Sequence, residues 1–120
     1  MEARTVARIL TLGRIAIGAA LVVAPARASA GWIGADAERP ATQVPVVSLG
    51  ARDVVLGAGV LRAPKKQKQM WATAGVACDY ADIGAGLLAG VRGQLPPASA
   101  AMVTGTAAVF ALAGTWLLQQ

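Results

Sequence analysis

Four apolar stretches of about twenty residues, separated by short polar segments, constrain the fold of this chain most strongly. They cover about 6–24, 44–63, 70–91 and 98–118, and are called spans 1 to 4 here. A helix needs ~20 predominantly apolar residues to cross about 30 Å of hydrocarbon. The pattern therefore predicts an all-α, four-helix transmembrane bundle, with residues 1–120 forming a single integral membrane domain.

The composition also indicates a lipid environment. Of the 120 residues, 56% are hydrophobic and only 14% are charged, whereas soluble domains have about 25% charged residues. A small soluble protein needs polar side chains to cover its large relative surface. The net charge of +5 would favour a nucleic-acid partner in a soluble protein. Here the basic residues lie mostly between the spans, so we expect no nucleic-acid partner.

Proline residues mark the expected ends of the spans, because proline lacks a backbone donor and disrupts a helix interior. The segment 26–42 is predicted to be the longest loop, with its Gly-Trp-Ile-Gly sequence at 31–34 lying against the outer membrane surface. The prolines that mark these ends are Pro25, Pro40, Pro45, Pro64, Pro96 and Pro97.

Basic residues between the spans predict the orientation. Cytoplasmic loops carry an excess of Lys and Arg, so we expect both termini to face the cytoplasm. The composition, rich in Ala, Gly and Arg, is typical of high-GC bacteria and favours the bacterial cytoplasmic (inner) membrane. The run of basic residues near the link between spans 2 and 3 is either a simple orientation signal, which we favour, or a contact site for anionic lipid headgroups. It comprises Arg62, Lys65, Lys66 and Lys68.

Span 1 has an alternative interpretation as a cleaved secretory signal. Arg4 and Arg8 precede the apolar run 15–24, and Ala-Ser-Ala at 28–30 resembles a cleavage site. Arg27 lies directly before that site and disfavours cleavage. We therefore favour a membrane span, and the signal peptide stays open as an alternative.

Five ionisable residues fall in the middle half of the spans. Each central Arg or Asp costs roughly 2.5–3.5 kcal/mol to insert, whereas each Leu, Ile or Val contributes only about 0.3–0.6 kcal/mol. We therefore predict a buried interhelical cluster, in which the span 2 arginine pairs with one span 3 acid and the span 1 arginine pairs with a remaining acid. The five residues are Arg14, Arg52, Asp53, Asp79 and Asp82.

The role of this cluster is open between two interpretations. Ionisable residues inside a membrane are functional candidates by default, but buried ion pairs can also serve only to fix the helix arrangement. Three acids face two bases, so one carboxylate could hold a proton or meet a ligand. We favour the structural role, with ligand or proton handling as the alternative.

Small residues indicate where helices pack closely. Gly86 and Gly90 form a Gly-x-x-x-Gly motif in span 3, and Gly50 and Gly57 lie one heptad apart in span 2. Such spacing lets helix backbones approach one another. Cys78 is interpreted as a small buried hydrophobic residue. The chain has no histidine and a single cysteine, so we expect no metal site and no cofactor.

The segment Gly50-Ala51-Arg52-Asp53, followed by Gly57, resembles a family of small four-helix membrane proteins from bacteria and fungi that is defined as a domain of unknown function. The resemblance spans nearly the whole chain. It implies the four-span topology and the polar cluster, and it implies no activity. Further positions that would match the family pattern are Arg14 and Gly18 in span 1 and Pro25 directly after it. In span 3 the matching position would be either Asp79 or Asp82.

These features favour a protein without enzymatic activity that acts as an accessory or self-associating subunit, either as a homo-oligomer or in a larger membrane complex. The uncharged span 4 would be the docking surface. The alternative is a small proton-coupled carrier, or a membrane protein that binds a lipid or another small molecule. No nucleophile–base pair and no glycine-rich phosphate loop supports an enzyme.

Overall fold

A computed structural model describes residues 1–120 as an all-helical protein without strands. The long helices α1 (Ala3–Val23), α3 (Pro40–Arg62), α4 (Lys65–Val91) and α5 (Pro97–Leu118) correspond to spans 1 to 4. The short helix α2 (Pro25–Ile33) follows α1 and leads into a 3-10 helix at Gly34–Glu38. All four long helices are long and apolar enough to cross a membrane, which confirms an all-α protein with four candidate spans.

The segment predicted to be the longest loop is largely helical. Pro25 occupies the first turn of α2, where its missing N–H carries no penalty. The buried Ser29 hydroxyl donates a 2.6 Å hydrogen bond to the Pro25 carbonyl, and the Trp32 indole donates one of 3.2 Å to the Ala28 carbonyl. Gly34 ends the helix with a φ of +74°. The loop prediction is therefore wrong, because a nine-residue helix is too short to appear as an apolar span.

The prediction that Pro45 marks the start of the second long helix is wrong. Helix α3 begins at Pro40 and contains Pro45 in its second turn. A proline so close to the helix start removes a single backbone hydrogen bond, to residue 41, and the following turns remain intact. The other prolines lie at helix ends, with Pro64 and Pro96 directly before α4 and α5.

The four long helices form a ring in which α1 neighbours α3, α3 neighbours α4, α4 neighbours α5, and α5 neighbours α1. Contacts are far more extensive within two pairs, α1 with α3 and α4 with α5, than between them. We call these pair A and pair B. No Cα atoms approach within 8 Å across either diagonal. The helices on each diagonal therefore do not meet through their backbones, and α2 contacts α1, α3 and α5 at one end.

Glycine residues allow the close packing within each pair. In pair A, a Cβ atom added to Gly18 would lie 2.6 Å from the Gly50 carbonyl oxygen, and one added to Gly57 would overlap Ile15. In pair B, a Cβ atom on Gly86 would lie 2.5 Å from the Thr104 hydroxyl oxygen. Gly90 faces Ala100. The structure thus places all four glycines proposed for packing at helix–helix contacts, and it adds Gly18.

Large apolar side chains point outwards, and the bundle interior contains mostly small ones. Half or more of the residue surface is exposed at Ile9, Leu12, Val55, Val109 and Leu112, among others. Soluble monomers rarely expose contiguous apolar surface of this kind. Removal of residues 1–30 would delete α1 together with its contacts to α3.

Candidate functional site

The five ionisable residues of the spans meet in one cluster near the middle of the bundle. Helix α1 supplies Arg14, α3 supplies Arg52 and Asp53, and α4 supplies Asp79 and Asp82. The two acids of α4 lie three residues apart on the same helix face. We call these five residues the charge cluster.

Arg14 bridges the diagonal between α1 and α4. Its Nη1 atom donates to Asp79 Oδ1 at 2.9 Å, and its Nη2 atom donates to Asp79 Oδ2 at 2.5 Å. Asp79 is only 4% exposed. The guanidinium carbon also lies 5.1 Å from the centroid of the Phe110 ring in α5, within cation–π range. A two-pronged pair of this kind is among the strongest polar contacts in proteins.

Arg52 forms a second two-pronged pair, with Asp82. The distances are 3.2 Å from Nη1 to Oδ1 and 2.6 Å from Nη2 to Oδ2. Both side chains are about 30% exposed, so this pair is less buried than that of Arg14. The sequence left the partner of each arginine open between the acids, and helix packing selects these two pairs.

Asp53 is shared between the two arginines at longer distances than the other acids. Its Oδ1 atom lies 3.5 Å from Arg14 Nη1 and 3.5 Å from Arg52 Nη2, although the side chain is only 14% exposed. It is the carboxylate in excess over the two guanidiniums. Asp53 also differs from the other acids in its location, because it belongs to pair A, whereas Asp79 and Asp82 belong to pair B.

A cavity of about 470 Å³ lies next to the charge cluster, on the side of the cluster that faces α2. Most of its 16 lining residues are hydrophobic. Its polar part consists of Arg14, all three acids of the cluster and Thr106, whereas Arg52 does not line it. We call this space the α2-side cavity. Its apolar wall includes Ile17, Leu21, Trp32, Met102, Val103 and Phe110.

A second cavity, of about 420 Å³, lies on the opposite side of the cluster, towards the chain termini. Its lining includes Trp71 and Leu117, with Lys68 as its basic residue besides Arg14 and no Asp or Glu side chain. We call it the termini-side cavity. The two cavities share only Arg14 and Phe110. These two side chains therefore form the partition between them.

The run of basic residues proposed to contact lipid headgroups is exposed at the same end of the bundle as the termini-side cavity. It lies at the link between α3 and α4, where Arg62, Lys65, Lys66 and Lys68 are all exposed. Arg4 and Arg8 in the first turns of α1 are exposed as well. Six basic residues therefore surround one end of the bundle.

No family model, curated protein or solved structure matches this chain. The resemblance to the four-helix family of unknown function therefore stays a prediction. No group of three His, Cys, Asp or Glu side chains is arranged to hold a metal ion. The cluster and the two cavities are therefore the features of this chain that bear on its function.

Two aromatic residues of the site were not identified from the sequence. Phe110 is the single phenylalanine of the chain and lies in the uncharged span 4, so no charge pattern draws attention to it. Trp32 was interpreted only as a surface anchor. One signal in the sequence could have indicated Phe110. It lies about as far from the C-terminus as Arg14 lies from the N-terminus, so two spans with their termini on the same side would place both residues at a similar depth in the membrane.

Proposed function

We propose that this chain is a multi-pass protein of the bacterial cytoplasmic membrane that binds a small lipophilic cation in the α2-side cavity. The observation that carries the proposal is the lining of this cavity, in which three carboxylates and one guanidinium lie beneath apolar walls. Cavities of roughly 300–1,000 Å³ with few convergent polar groups are typical small-molecule sites.

Membrane insertion and orientation are part of the proposal. Four apolar helices and exposed aliphatic side chains support insertion. The six basic residues at the termini end support a cytoplasmic location for both termini. The α2-side cavity then faces the opposite side of the membrane.

Charge balance supports a cationic ligand. The cluster contains two guanidiniums and three carboxylates, so one negative charge is in excess when all five are ionised. An unbalanced charge is costly in a medium of low dielectric constant. A monovalent cation near Asp53 would restore neutrality. The apolar wall would contact its hydrocarbon part, and the rings of Trp32 and Phe110 would attract its charge.

The test compares two ions of the same shape and opposite charge. Isothermal titration of the purified protein in mild detergent should show tetraphenylphosphonium binding at one site and no binding of tetraphenylborate. Asp53→Asn should weaken phosphonium binding about tenfold, which corresponds to roughly 1.4 kcal/mol. The control Asp36→Asn removes an exposed carboxylate outside the cavity and should leave affinity unchanged. Equal binding of both ions, or of neither, would contradict the proposal.

An accessory or self-associating subunit, favoured by the sequence, is the second candidate. Helix α5 has no charged residue, and its Val109 and Leu112 are both 64% exposed. These side chains could pack on another membrane helix as well as on lipid. Purification from the native membrane in mild detergent, followed by mass spectrometry, tests this candidate. A stoichiometric protein partner that is lost in a Val109→Ser, Leu112→Ser variant would support it.

A further inference from the structure

The two cavities lie end to end along the bundle, and the partition between them consists of Arg14 and Phe110. We propose that the cavities are the two halves of one translocation path, and that Arg14, its partner Asp79 and Phe110 form the gate between them. The protein would then be a carrier of the lipophilic cation. This inference rests on the proposed function, because the transported cation is the ligand bound in the α2-side cavity.

The gate joins the two helix pairs. Arg14 belongs to pair A, whereas Asp79 and Phe110 belong to pair B. The second two-pronged ion pair, Arg52 with Asp82, also joins pair A to pair B. Both ion pairs lie within the charge cluster. The strongest polar links between the pairs are therefore concentrated at the level where the path is closed.

Each pair is built to move as a unit. Within pair A the backbones of Gly18 and Gly50 are in direct contact, and within pair B Gly86 lies against Thr104. Contacts between the pairs are less extensive, and the helices on each diagonal do not approach one another through their backbones. A small rotation of one pair against the other would widen one cavity and narrow the other, which is a rigid-body route to alternating exposure.

Asp53 provides the means of opening the gate. It is a second acceptor within reach of both arginines, at 3.5 Å from each, and it lies in pair A. When the bound cation moves from Asp53 to Asp79, Arg14 can leave Asp79 and pair fully with Asp53, which it already contacts. The ion pair then lies within pair A, and the link between the pairs is released. Arg14 keeps a partner throughout, which avoids the large cost of an unpaired buried charge.

The two ends of the path differ in charge. The α2-side cavity contains all three acids of the cluster, whereas the termini-side cavity has Lys68 at an exposed position and no acidic side chain. A cation is therefore held more tightly on the α2 side. The termini side is the low-affinity end of the path.

The experiment measures transport and binding on the same preparation. Ethidium, a lipophilic monocation that crosses bilayers slowly, is first titrated against the purified protein. Its entry into proteoliposomes is then followed by its fluorescence on trapped DNA, against protein-free liposomes. We expect binding together with uptake at least several-fold above the protein-free rate. Binding without uptake overturns the carrier inference and leaves the proposed function in place. Absence of binding overturns both.

A variant series tests the role of Asp53 at ethidium concentrations that saturate each variant. We expect Asp53→Asn to reduce uptake at least tenfold although ethidium is bound, and Asp53→Glu to restore much of it. Asp36→Asn should transport as the wild type does. If Asp53→Asn fails to fold, Phe110→Ala replaces it, with Val109→Ala as its exposed control. Phe110→Ala should accelerate uptake by removing part of the partition. Wild-type uptake in Asp53→Asn or in Phe110→Ala would overturn the gate.

Discussion

At the scale of single residues, the two two-pronged ion pairs of the cluster differ in burial, and this difference has energetic consequences. Asp79 is almost completely buried against Arg14, whereas Asp82 and Arg52 are about 30% exposed. Removal of one partner from a buried pair leaves an unpaired charge in a medium of low dielectric constant. The same change at Asp82 is moderated by water, because Asp82 lines the α2-side cavity.

Asp79→Asn should therefore destabilise the protein more than Asp82→Asn. We expect a loss of about 2–3 kcal/mol for Asp79→Asn, because the amide keeps one acceptor for Arg14 but removes the opposing charge. Arg14 then retains only Asp53, at 3.5 Å, as an anionic partner. For Asp82→Asn we expect roughly 1 kcal/mol. Thermal unfolding in mild detergent, with wild type and Asp36→Asn as references, measures which of the two variants is less stable. Equal stabilities for the two variants would contradict a structural hierarchy within the cluster.

The sequence could predict that these charges pair, but it could not predict which acid each arginine contacts. The cost of isolated charges in lipid requires pairing wherever it is sterically possible. The choice between Asp79 and Asp82 depends on the rotation of α4 about its axis, and the two acids share one helix face. The central position of Asp53 likewise depends on the close approach of α1 and α3, which brings Arg14 within 3.5 Å of it.

At the scale of helices, the glycine contacts decide how closely the members of each pair approach. A methyl group on Gly18 would meet the Gly50 carbonyl at 2.6 Å and the Val54 backbone nitrogen at 2.9 Å, and neither backbone atom can move independently. By contrast, a methyl group on Gly105 of α5 would meet no atom within 4 Å. The two positions form a matched pair for testing whether close packing holds pair A together.

Gly18→Ala should lower the melting temperature of the detergent-solubilised protein by several degrees, because α1 and α3 must separate. Gly105→Ala should leave it unchanged or raise it slightly, since alanine has the higher helix propensity. The comparison uses the same substitution in the same environment. A Gly18→Ala protein as stable as Gly105→Ala would show that the close contact contributes little.

The long helices could be predicted from the sequence because hydrophobic length is a strong signal, whereas α2 could not. Its nine residues include Arg27, Ser29 and two glycine-flanked apolar residues, so neither length nor periodicity indicates a helix. Its helical state depends on tertiary contacts with α1, α3 and α5. The α2-side cavity was not predictable for the same reason, because α2 supplies part of its wall.

At the scale of the whole molecule, the asymmetry of charge between the two ends predicts the orientation that we propose. Six exposed basic residues surround the termini end, and positive residues are retained in the cytoplasm. We expect alkaline phosphatase fused after Gln120 to be inactive and phosphatase fused after Gln94, in the link between α4 and α5, to be active. The reverse result would place the α2-side cavity on the cytoplasmic side.

The position of a bound cation shows directly whether the α2-side cavity is the ligand site. Tetraphenylarsonium has the shape and charge of the phosphonium probe, and its arsenic atom scatters anomalously. Anomalous diffraction from crystals grown with it should place arsenic inside the α2-side cavity, between Asp53 and the rings of Trp32 and Phe110. An arsenic atom found only on the lipid-facing surface, or only in the termini-side cavity, would contradict the proposed ligand site.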